Sequence, residues 1–295
     1  MNKLALLLLV SASFIATRID AQTFSFSTGL PDGKMAAASR TDSLGSFEIE
    51  AADDFVLTSP TTQITGASFT GLLLPNSGIS QVQVEIYRVF PNDSNVGRTS
   101  GPPTFSTTQV PTRVNSPSDN AFDTRSSLSG GLNFTPVPLS ASFTANNSIL
   151  PGGIHPIPGV ATGGNGSVTG EEVQFNVTFT TPFDLPAGHY FFVPQVDLLG
   201  GGTFLWLSAP RPIIPPGTPF PAGFTDLQAW TRDAFLDPDW LREGTDIVDT
   251  IGVSPAPTFN ETFSLVGTVP DSGPTALLLG GAMIAMICLK RRASV

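Results

Sequence analysis

Four apolar residues at every second position, Val173, Phe175, Val177 and Phe179, are separated by Gln174, Asn176 and Thr178. That two-residue period predicts an extended strand with one apolar face, and it constrains the fold more than any other stretch. The same period returns in Val82, Val84 and Ile86, alternating with Gln81, Gln83, Glu85 and Tyr87. It returns again in Phe47, Ile49 and Ala51, alternating with Glu48 and Glu50, in a strand that continues through Asp53-Asp54-Phe55-Val56-Leu57. A Thr-Ser-Pro-Thr-Thr turn then predicts a break before a second, more fully apolar strand over Ile64–Leu74. One apolar face per strand requires a further layer to cover it. With 22 Phe against 2 Tyr, 29 Gly, 27 Pro and only 13% charged residues, the composition favours strands and turns over helices. The expected fold is mainly β, an antiparallel two-sheet β-sandwich of jelly-roll type.

Between the early and late strands, residues 91–170 are rich in Pro, Gly, Ser, Thr and Asn, and read as a long insertion containing short edge strands. The second half resumes with a turn at Phe183–Gly188, strands over His189–Val196 and Thr203–Ser208, and a Pro-rich connector from Pro210 to Pro221. Asp226–Glu243 is the one soluble stretch expected to be helical or irregular, and Thr262–Val266 supplies a last strand.

Both termini carry targeting signals. Residues 1–21 combine Lys3, an apolar run over Leu4–Val10 and small residues before a cleavage site near Asp20-Ala21-Gln22, the pattern of a signal peptide. The expected ectodomain is then 22–268, and 269–295 forms a tripartite tail. Within that tail, Val269, Pro270, Asp271, Ser272 and Gly273 precede an uncharged run over 275–289 and the cations Lys290, Arg291 and Arg292. At about 22 Å as a helix the run is short for a bilayer core of about 30 Å. The basic end follows the positive-inside rule and fits a stop-transfer segment.

These tail residues resemble the PEP-CTERM class of bacterial sorting signals, in its VPDSG-CTERM variant, over about 27 residues. The resemblance implies a protein exported through the inner membrane and transiently anchored by a C-terminal transmembrane helix. In that family an exosortase, a membrane-embedded transpeptidase-like cysteine protease, processes the tail, and carriers are typically exported by Gram-negative bacteria that make exopolysaccharide. It therefore implies an exosortase partner, a cell-surface or matrix location and association with extracellular polysaccharide. Pro-Asp-Ser replaces the commoner Pro-Glu-Pro, which points to a dedicated processing enzyme.

For the body of the chain the charge balance is informative. Residues 22–269 carry 22 acidic against 9 basic side chains, which disfavours nucleic acid and offers oxygen ligands to cations. The sole cysteine, Cys288, lies in the apolar tail, so the body has neither a disulfide nor a thiolate. His155 and His189 are the only imidazoles, and no Gly-x-Ser-x-Gly elbow accompanies them. The acidic pairs Asp53/Asp54, Glu171/Glu172 and Asp237/Asp239 are the candidates for glycoside hydrolysis, yet neighbours on a strand point to opposite faces. No catalytic residue is assigned, and a binding or structural role is expected rather than an enzyme. Two further readings accompany it. Trp230 and Trp240 would stack on sugar rings in a carbohydrate-binding module, and a calcium ion would sit on Asp53, Asp54, Asp237 and Asp239, with Asp246 and Asp249 as further candidate ligands. A secreted hydrolase is the remaining alternative.

Overall fold

The computed structural model describes residues 22–42, 45–74, 78–95, 114–154, 161–210, 220–249 and 256–270. The body of the fold is the unit Thr23–Val269. Its strands are β1 (Gln22–Ser27), β2 (Ala36–Ala38), β3 (Ile49–Leu74), β4 (Ile79–Arg88), β5 (Asp123–Ser126), β6 (Leu132–Ala145), β7 (Val168–Leu198), β8 (Thr203–Ala209), β9 (Trp230–Asp233), β10 (Leu241–Arg242), β11 (Asn260–Glu261) and β12 (Phe263–Val269). They form one open, mostly antiparallel sheet with the main path β1-β12-β3-β8-β7-β4-β5. The remaining strands attach to it as side pairings: β2 and β11 on β8, β6 on β7, β9 on β3, and β10 on β9.

This corrects the expected two-sheet sandwich, and the physical reason lies in two very long strands. β3 runs for 26 residues and β7 for 31, and the two pair with each other from Asp53↔Phe192 to Leu73↔Glu171. The Thr-Ser-Pro-Thr-Thr stretch and Phe183–Gly188, both expected to be turns, lie side by side instead, with Thr61↔Pro186 and Thr62↔Leu185 in register. The local irregularity is absorbed as register shifts between Leu57 and Thr61 and between Ile64 and Gly66. Each long strand therefore hydrogen-bonds to several neighbours, and what sequence divides into separate strands becomes one network.

The alternating residues behave as their period requires. Val173, Phe175, Val177 and Phe179 are all buried, and so are Val82, Val84 and Ile86. Aromatic rings fill the main core, with Phe69 stacked on Phe175 at 5.0 Å and Phe192 on Phe263 at 5.0 Å. Trp206 is fully buried there and donates its indole N–H to the Thr262 carbonyl at 2.7 Å. Gly71 lets β8 approach closely, since a Cβ there would lie 2.2 Å from the Phe204 ring and 2.5 Å from the Leu205 carbonyl.

Within residues 91–170 the described part contains β5, the 14-residue β6 laid along β7, and a single 3-10 turn at Pro151–Gly153. Asp226–Glu243 is not a helix. It supplies β9 and β10, and a π-helical turn follows over Glu243–Val248. Among the described residues no helix is long and apolar enough to cross a membrane. Helical structure there amounts to those two short turns, the longer of six residues. The expected leader at 1–21, membrane segment at 275–289, basic end Lys290–Arg292 and motif residues Asp271, Ser272 and Gly273 lie outside the described residues.

Candidate functional site

One face of the sheet gathers polar side chains beneath the 224–240 segment, and strand register does the gathering. Glu50 on β3 lies directly opposite Arg232 on β9, Gln83 on β4 opposite Gln195 on β7, and Glu85 on β4 opposite Thr124 on β5. Glu48 is two residues before Glu50 and so projects to the same face. Glu48, Glu50 and Glu85 each place a carboxylate oxygen so that all three lie within 4.8 Å of one another. Glu50 is 3% exposed and Glu85 9%, whereas Glu48 is only half-buried and opens the cluster toward solvent.

A shell of donors fixes these carboxylates. The Tyr87 hydroxyl lies 2.6 Å from Glu50 Oε1 and 3.1 Å from Glu85 Oε2, bridging the two. Arg232 donates Nε to Glu50 Oε2, Nη2 to the Tyr87 oxygen at 2.9 Å and Nη1 to Asp237 Oδ1 at 2.8 Å. Gln195 donates Nε2 to Glu48 at 3.0 Å, and Gln83 donates Nε2 to Glu85 at 3.1 Å. Thr124 donates to Glu85 at 3.2 Å. Trp240 closes the base, with the Arg232 guanidinium 4.3 Å above its ring and Tyr87 edge-on at 5.5 Å.

Three acids held this closely cannot all ionise cheaply away from water. Burial, then the charges of Glu50 and Glu48, push the Glu85 carboxyl up to about 8. Burial and Glu50 raise Glu48 as well. Burial and the adjacent Glu50 carboxylate push the Tyr87 hydroxyl far above its ordinary range, so it stays a neutral donor. For Arg232, burial is the largest influence and pulls downward, but Glu50, Tyr87 and Asp237 together hold the guanidinium above its usual value. A buried cluster of this kind could coordinate a divalent cation such as calcium.

The residues that sequence singled out fall elsewhere. Asp53 and Asp54 are both fully buried but face opposite ways. Asp53 accepts the Glu261 N–H at 2.9 Å, whereas Asp54 accepts the Leu227 N–H at 3.2 Å and meets His189 Nε2 at 2.5 Å. Asp237 is exposed and paired with Arg232, Asp239 is buried, and Asp246 accepts from Arg242 at 2.8 Å. The acids expected to share calcium are thus not brought into one site. Trp230 is 3% exposed and Trp240 2%, because both rings cover the polar face, and neither offers a surface for sugar stacking. His155 lies outside the described residues. Val269 ends β12 and Pro270 closes the described chain.

Glu48, Glu50 and Glu85 were visible in sequence only as the polar half of two alternating strands. The signal that their face is covered was the apolar content of 224–240, with Leu227, Trp230 and Trp240 all buried against it.

The chain matches no family model, no curated protein and no solved structure. These comparisons give no support to an exosortase partner. The described fold holds no helix able to anchor it in a membrane. The expectation of an exported, exosortase-processed surface protein, with its transient anchorage and its polysaccharide association, thus finds no support in the described fold or in these comparisons.

Proposed function

We propose that this chain is a non-catalytic β-domain that binds calcium through Glu48, Glu50 and Glu85. The observation that carries the reading is the convergence of three carboxylates, Glu50 from β3, Glu85 from β4 and Glu48 from just before β3, to within 4.8 Å, two of them buried and the third half-buried. An all-oxygen donor set selects hard cations, and carboxylates already fixed by neighbouring donors suit the adaptable coordination of Ca²⁺ better than the rigid octahedron of Mg²⁺. Calcium would supply positive charge that Arg232 alone gives to only one edge of the cluster. Glu48 provides the entrance, Glu50 the anchored ligand, and Glu85 a ligand that surrenders its proton as the ion enters.

The test is calorimetric titration of the chelator-treated protein with Ca²⁺, alongside its thermal unfolding. Binding of N but not U at a hundredfold excess over Kd should stabilise the fold by about 2.7 kcal/mol. Pairing Glu48→Gln with Glu85→Gln should remove that gain. Equal stabilisation of the variant and the native chain would refute the site.

A further inference from the structure

A second group of acids lies on the other side of the β3 strand, where Asp53 rather than Asp54 points. Glu243 opens the π-helical turn after β10, Glu261 ends β11, and both side chains are fully buried with their carboxyl groups against each other. No hydrogen-bond donor among the described residues reaches any of their four oxygens. This is unlike the Glu48 cluster, where Arg232, Tyr87, Gln83, Gln195 and Thr124 all donate. Asp53, also fully buried, sits beside them, held by the Glu261 N–H. The backbone fixes the arrangement: Glu243 donates its N–H to the Ala229 carbonyl at 3.1 Å, and the Glu261 carbonyl accepts from the Thr28 hydroxyl at 2.6 Å.

Buried carboxyl oxygens without donors are rare and point to a missing partner. A shared proton would satisfy one contact between the two groups and leave the other oxygens without any. A cation satisfies all four at once and offsets the negative field of Asp53. We propose that Glu243 and Glu261, with Asp53 alongside, form a second, buried site for a divalent cation, distinct from the Glu48 cluster. Its chemical class follows from the donors, which are all carboxylate oxygens with neither imidazole nor thiolate: a hard ion of the calcium type. Exclusion of solvent argues further for calcium over magnesium, which gives up its waters reluctantly. The strongest charges acting on Glu261 are those of Glu243, Asp53 and Asp32, acids without exception, and burial with these neighbours pushes its carboxyl well above the usual range.

The test uses the full chain and the metal alone. Crystals of the native protein soaked in Mn²⁺ should show an anomalous scattering peak between Glu243 and Glu261. Calorimetric titration with Ca²⁺ should show one bound ion fewer in the Glu243→Gln, Glu261→Gln double variant, while the ion lost on Glu48→Gln with Glu85→Gln remains. The absence of a peak at the Glu243–Glu261 position, or unchanged stoichiometry in the folded double variant, would overturn the proposal. Should the double variant fail to fold, the diffraction result on the native chain decides alone.

Discussion

Glu50 and Arg232 stand directly opposite each other in the β3–β9 register, and their side chains close an ion pair that is almost wholly buried. Breaking such a pair from one side leaves a charge without compensation, which typically costs about 3 to 5 kcal/mol. Arg232→Met should therefore destabilise the protein by that order in chelator, as measured by urea unfolding. The same variant leaves three acids facing one another with less positive charge among them, so Ca²⁺ should restore more stability to it than to the native chain.

Tyr87 bridges Glu50 and Glu85 through one hydroxyl. Tyr87→Phe keeps the ring against Trp240 and removes that bridge together with the acceptor for Arg232 Nη2. The expected loss is about 1 to 3 kcal/mol, the usual penalty for stranding buried polar groups. Denaturant midpoints at an unchanged m-value provide the measurement.

The raised carboxyls predict an unusual pH profile for the metal-free protein. Glu85 and Glu243 are each pushed up to about 8 from an ordinary 4.5, chiefly by burial. Between those values the folded state holds protons that the unfolded chain has lost. The stability this contributes is fully present below about pH 4.5 and disappears as pH rises through the window to about 8. The slope can reach about 1.4 kcal/mol per pH unit for each group. Saturating calcium should flatten the profile, since the ion takes over the protons' role. Thermal unfolding across that range, in chelator and in Ca²⁺, reads both effects.

At Gly71 the β3 backbone has β8 packed directly against it. Gly71→Ala should destabilise by about 1 to 3 kcal/mol, because the added methyl meets a ring packed in the core and a backbone carbonyl that cannot move away. Gly45→Ala, at a turn with open space around it but φ of +82°, provides the contrast: any loss there reflects backbone strain alone.

The strands were legible because period-two patterning is a local property, and Val173 to Phe179 shows it without help from elsewhere. The joining of those strands was not. Pro60 and Pro186 look like turn residues when each is read alone, and only the pairing of Thr61 with Pro186 turns two breaks into one irregular ladder. The site was hidden for a related reason. Glu48 and Glu50 alternate with apolar neighbours as solvent-facing residues would, and nothing within their own strand reveals that Trp230 and Trp240, nearly two hundred residues later, fold over them. Glu243 and Glu261 show no pattern at all, since each belongs to a short irregular piece and gains meaning only from the other.

The last of the described strands fills a place between two of the first three. In the sheet, β12 lies between β1 and β3, so β1 finds its neighbour in residues made more than two hundred positions later. A ribosome releasing this polypeptide in order exposes β1 long before Phe263 exists, and assembly of that margin must wait until β12 has been made. Nascent chains stalled before that point should stay sensitive to protease at their N-terminal strand, whatever the remainder has achieved.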